Sequence, residues 1–217
     1  MERKTLKFLR LLIPGLIVIF EFIPLLNYLK INFKIGEGWF SYSYLVVLAL
    51  VIGSIYHIYN IRYTVTNVSH RKIDLNIVTS LIKIYNKEIT QEEYNYLKDK
   101  RLKHIFYYFI DKDPSLTAKS QLVYFNGLFW TSTADLTILS AFASIIYLIF
   151  GLIIFQENTL WLFGILLSGI SLLAIVFHFY SISNHYKLSN DQIEFIETHY
   201  QKELKEKIEG SLMQINK

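Results

Sequence analysis

Four apolar runs, residues 11–29, 42–60, 136–155 and 160–181, constrain this chain more than any motif in it. Each is about 20 residues long, which at about 1.5 Å per residue matches the roughly 30 Å hydrocarbon core of a bilayer. In hydrocarbon every backbone N–H and C=O must be paired within the segment, so runs of this kind are helices. The alternating segments of an outer-membrane barrel do not occur. The chain therefore reads as an all-α integral membrane protein, with four transmembrane helices in two hairpins and a cytosolic helical layer. Its expected parts are a first hairpin over 1–60, a cytosolic segment over 61–135, a second hairpin over 136–182, and a C-terminal amphipathic helix over 183–217.

Composition agrees with this. Hydrophobic residues make up 53% and charged residues 18%, with a mean hydropathy of +0.31, outside the habit of soluble domains. The formal charge of +4 is unevenly placed. Of the 22 lysines and arginines, only Lys30 and Lys34 fall outside the N-terminus, the middle segment and the tail. The positive-inside rule then predicts a multi-pass protein of the inner (plasma) membrane with both termini cytoplasmic. Its basic excess serves insertion and anionic headgroups. Cysteine is absent, which excludes disulfides and thiolate metal sites. The basic start and first apolar run mimic a signal peptide. The run is long, however, holds Glu21 and two prolines, and lacks a small-x-small cleavage site, so it reads as a retained span.

Within the middle segment, 73–85 carries a helical apolar stripe. A capping box at Thr90–Glu93 opens a helix to about Ile110, ended by Asp111-Lys112-Asp113-Pro114. A third helix from Ser115, with Gly127 as its bend, runs at the membrane interface toward the third span. A second box at Ser189–Gln192 is expected to open the tail helix. There Ile193, Ile196, Tyr200, Leu204 and Ile208 form a stripe that needs a partner, either the 73–110 helices or another subunit's tail. Trp39, Phe40, Tyr42, Tyr44 and Trp161 fit an outer aromatic belt. The ends of the second and fourth runs, His57-Ile58-Tyr59 and His178-Phe179-Tyr180, hint at a parallel repeat with an offset of 121 residues.

Candidate chemistry is sparse. Glu21 lies near the expected midplane between Pro14 and Pro24; a carboxylate there must face protein or water, as a working site or as a protonated packing group. His57 and His178 share one expected depth, with His185 close by, but match no metal-binding spacing. Ser140, Ser144 and Gly151, with Gly164, Ser168 and Ser171, line the third and fourth runs at helical spacing. They are expected to mark span packing, with a hydroxyl-lined pore as the alternative. Lys98, Lys100, Arg101 and Lys103, beside Phe106–Phe109, could suit a nucleic acid or nucleotide. On a cytosolic helix above anionic lipid they suit headgroups or a protein partner better. Asn67-Val68-Ser69 matches a glycosylation sequon on the wrong side of the membrane. No phosphate loop, nucleophile elbow or paired metal-binding carboxylates occur. The expectation is a protein that is not an enzyme and takes no cofactor or metal.

A single protomer of four spans has too few polar residues to enclose a wide channel, so a pore would require a homo-oligomer. In layout alone, the chain resembles small multi-span effectors of bacterial antiviral systems. That resemblance implies a channel-like or membrane-perturbing effector regulated through its cytosolic helices by a protein or small ligand. The alternatives are a non-conducting scaffold for a cytosolic partner, or a small proton-coupled transporter or membrane enzyme using Glu21.

Overall fold

The structure, a computed structural model, describes the backbone of residues 3–31 and 39–214 and the side chains of 4–31, 43–99 and 101–214. Its elements are α1 (Arg3–Tyr28), α2 (Trp39–Ile58), α3 (Ile61–Tyr85), α4 (Gln91–Tyr96), a π turn (Leu97–Arg101), α5 (Leu102–Lys112), α6 (Pro114–Ile149), a second π turn (Phe150–Ile154) and α7 (Asn158–Leu212). No strand occurs among the described residues. Among the described residues, three helices are long and apolar enough to cross a membrane, Lys4–Tyr28, Pro114–Ile154 and Asn158–Leu212. The bent pair Ser43–Ile58 and Ile61–Tyr85 makes a fourth if counted as one span. The described residues thus form an all-helical fold consistent with an all-α membrane protein.

Local chemistry explains most boundaries. Lys30, Asn60, Asn86 and Gln156 have φ between 51° and 56°, the left-handed conformation that stops a helix and frees its last carbonyls for capping. Thr90 caps α4 as expected: its hydroxyl accepts the Glu93 N–H, and the Glu93 carboxylate accepts the Thr90 N–H. Asp113 does more than end α5. Its carboxylate accepts the N–H groups of Ser115 and Leu116 at 2.7 and 3.1 Å, so it also starts α6, with Pro114 at the first helical position where no N–H is needed.

Two expected boundaries are absent. The 115 helix and the third run form one helix, α6, with no break at Gly127; one glycine costs about 1 kcal/mol of helix propensity, which packing overrides. The tail does not begin at Ser189 either. That residue is buried inside α7, whose one non-helical residue is Tyr200 at φ −129° and ψ 15°.

The chain divides into two compact units. One combines Met1–Thr66 with Gly127–Ser181, the other Asn67–Asn126 with Ile182–Lys217. The first is built for an apolar solvent. Its surface carries Val47, Val51, Ile55, Phe142, Ile145 and Leu172, while Thr66, Asp135, Ser140, Ser144 and Ser181 are buried. Hydroxyls and charges turn inward because lipid cannot pair them. Here α1 and α2 meet backbone to backbone. A Cβ on Gly15 would lie 1.8 Å from the Ala49 carbonyl oxygen, and one on Gly53 would lie 1.7 Å from that of Leu11. Ala49 and Gly53, four residues apart, are the small pair that permits this approach.

The second unit is water-type in its ion-paired surface, although Val68, Leu122 and Phe125 are also exposed on it. Leu81, Leu97, Leu102, Phe109, Ile110, Leu116, Ile196, Leu204 and Ile208 are fully buried or nearly so, and ion pairs lie outside them. The tail stripe finds its partner within this unit. Tyr200 packs on Phe109 at 5.3 Å between ring centroids, the Lys112 ammonium bonds Glu203 at 2.6 Å, and Lys87 pairs with Glu209.

Candidate functional site

The two prolines of α1 organise the polar groups of the apolar unit. Proline has no N–H, so each one leaves a carbonyl four residues earlier without its helical donor. Pro14 releases the Arg10 carbonyl, and Arg62 Nη2 of α3 donates to it at 2.9 Å. The same guanidinium grips Asp135 of α6 with one edge, Nε to Oδ1 at 2.7 Å and Nη2 to Oδ2 at 2.6 Å. The Tyr56 hydroxyl of α2 adds a bond to Oδ1 at 3.0 Å. Asp135 is 0% exposed. Four helices therefore converge on one bidentate ion pair.

Near Pro24 the ladder opens again. The Tyr147 hydroxyl of α6 donates to the Glu21 carbonyl at 2.8 Å and accepts the Leu25 N–H at 2.8 Å. Those two backbone groups are the acceptor and donor of one helical step, so a side chain has entered the ladder, a recognised cause of helix kinks. Tyr147 is fully buried among Leu25, Ala143, Leu160 and Leu167.

Glu21 lies in the same opened turn and is 7% exposed. The Ser140 hydroxyl donates to its Oε1, while Oε2 is buried with no hydrogen-bond partner. The carboxyl borders an apolar groove of about 390 Å³, walled by Leu16, Ile17 and Phe20 of α1, Leu136 of α6, and Leu167 and Ile170 of α7.

The other expected site residues scatter. His57 is exposed, whereas His178 is buried and stacked on Trp130, with ring centroids 6.3 Å apart. Its Nδ1 sits 3.2 Å from the Trp130 carbonyl and 3.3 Å from the Thr133 hydroxyl. The hinted repeat thus places its two histidines in unlike surroundings, and neither is among the hydrogen-bond partners of Glu21. Among the described residues, no group of three His, Asp or Glu side chains is arranged to hold a metal. His185 lies in the other unit, its Nδ1 3.3 Å from the Asn126 amide.

Ser144 bonds the Gly164 carbonyl and the Ser168 hydroxyl, each at 2.7 Å, and Ser171 bonds the Thr137 carbonyl at 2.9 Å. These residues tie α6 to α7. Gly151 presses on the Trp161 backbone, 2.4 Å from where its Cβ would stand. Ser140 instead serves Glu21. In the water-type unit Lys103 pairs with Asp74, and Arg101 and Lys98 lie over the rings of Tyr96 and Tyr94 at 5.2 and 5.9 Å. The side chain of Lys100 and those of Trp39, Phe40 and Tyr42 lie outside the described residues.

Sequence reasoning missed Arg62, Asp135, Tyr56 and Tyr147. One signal was present: Arg62 and Asp135 are opposite charges just beyond the second and third apolar runs, at the same expected membrane boundary. Comparison with protein-family models, curated proteins and solved structures finds no match for this chain.

Proposed function

We propose that the protein is an oligomeric, channel-like or membrane-perturbing effector of the bacterial inner membrane, controlled through its cytosolic helices. In this reading it spans the bilayer four times in two hairpins, with both termini cytoplasmic, and its layout fits an effector of antiviral defence. One observation carries the reading: α3, α6 and α7 each supply residues to both units. A ligand or protein that repacks the water-type unit therefore acts on helices that also build the lipid-type unit. The hydroxyls of Ser140, Ser144 and Ser171 are occupied within the protomer, which favours a path between subunits over one lined by these hydroxyls.

Native mass spectrometry of the protein in nanodiscs, followed by planar-bilayer recording, tests this. The expected result is a closed ring of four or more subunits that conducts. Monomers or dimers without conductance overturn it and leave a non-conducting scaffold. A transporter built on Glu21, whose Oε2 has no partner, makes a different prediction: Glu21→Gln abolishes proton flux into liposomes and leaves assembly intact.

A further inference from the structure

We propose that the groove beside Glu21 binds a cationic amphiphile drawn from the bilayer, its ammonium on the carboxylate and its alkyl chain along the apolar walls. This inference does not depend on the effector reading.

The groove's volume, about 390 Å³, lies in the range of small-molecule sites, which are apolar with a few placed polar groups. Among the described residues, Glu21 is the one ionisable group in its lining. Phe20, 60% exposed, stands where the groove meets the surrounding medium, so a lipid-soluble molecule can enter sideways. The neighbouring polar groups are already used. Ser140 donates to Oε1, and the Tyr147 hydroxyl is taken up by the Glu21 carbonyl and the Leu25 N–H. Oε2 is the carboxyl oxygen left without a partner; it is covered in this structure, so a ligand takes it by parting the walls over it.

The chemistry selects the headgroup. A carboxylate in an apolar setting repels a fatty acid. A hydroxyl would give it a hydrogen bond and leave its charge uncompensated. An ammonium gives a charge-assisted bond, about twice as strong as a neutral one, and cancels the charge that lipid penalises. A bare divalent ion is a poor fit, because calcium and magnesium need about six oxygens and the lining offers one carboxyl.

The test titrates the nanodisc-embedded protein with dodecylamine, dodecanol and dodecanoic acid, reading bound ligand per subunit by native mass spectrometry. The expected result is saturable binding of one dodecylamine per subunit. Dodecanol should bind at least tenfold more weakly, and dodecanoic acid should not bind. Glu21→Gln should weaken amine binding at least tenfold, and Ile17→Trp, which fills the groove and keeps the acid, should block it. The proposal is overturned if amine and alcohol bind alike or if Glu21→Gln binds amine as the native protein does. It is equally overturned if no saturable site exists, as when a second copy of the chain covers the groove. Should Glu21→Gln fail to assemble, the headgroup series and Ile17→Trp decide the matter.

Discussion

Asp135 shows how one side chain can hold four helices. Its two oxygens receive Arg62 twice and Tyr56 once, and Arg62 also caps the Arg10 carbonyl. Removing one partner of a buried pair strands the other charge, at a cost of about 3–5 kcal/mol, whereas replacing both with apolar groups can be nearly neutral. Asp135→Leu should therefore sharply lower the thermal midpoint of the detergent-solubilised protein. Arg62→Met combined with Asp135→Leu should recover most of it, less the bond to Arg10. If the double variant is as unstable as the single one, a stranded Arg62 charge is not what destabilises Asp135→Leu. Glu21 was legible in the sequence because an acid amid apolar residues is conspicuous. Its partners were not, because Ser140 and Tyr147 are separated from it by more than 100 residues and one-dimensional periodicity carries no such pairing. Arg62 and Asp135 were passed over for another reason: beyond an apolar run, a charge reads as solvated.

At the scale of elements, the glycines of α1 and α2 are the sharpest constraint. Any Cβ at position 53 collides with the Leu11 carbonyl, and that atom belongs to backbone, which cannot rotate away. Gly53→Val should cost about 1–3 kcal/mol or more through overpacking. Gly169→Ala, which meets nothing within 4 Å, should be neutral or stabilising by about 0.5–1 kcal/mol, because alanine is the better helix former. Parallel thermal unfolding of the two variants checks both. Sequence patterns located the apolar runs, the Thr90 cap and the tail stripe, since each is a local signal. They placed the start of the third middle helix within one residue of Pro114 but misplaced its boundary with the third run and the start of the tail. Gly127 and Ser189 carry the local signature of a boundary, but each lies within a helix whose neighbours on both sides are already packed.

As a whole, the molecule joins a lipid-type unit to a water-type one, and pH should act on the second. The hydrogen bond from Tyr200, 2.6 Å long, holds the Asp113 carboxyl below the usual carboxylate range, aided by the backbone N–H groups of Leu116 and Ser115. A carboxyl depressed in the folded state adds stability above its unfolded value and loses that stability as pH falls through the folded one. Tyr200→Phe should therefore lower the thermal midpoint at neutral pH, and the gap from the native protein should narrow once acidification passes below the ordinary carboxylate range. Circular dichroism melts across pH measure this; a gap that widens on acidification would contradict the assignment.

Pro14 of α1 also imposes an order on biosynthesis. The carbonyl that Pro14 leaves without a helical donor, that of Arg10, finds one in Arg62, which leaves the ribosome after α1 is made. Until then the first helix carries a bare backbone oxygen that hydrocarbon does not tolerate. The nascent chain must keep that helix beside water, or beside the insertion machinery, until α3 arrives. α1 is thus made before α3 but fully accommodated only with it.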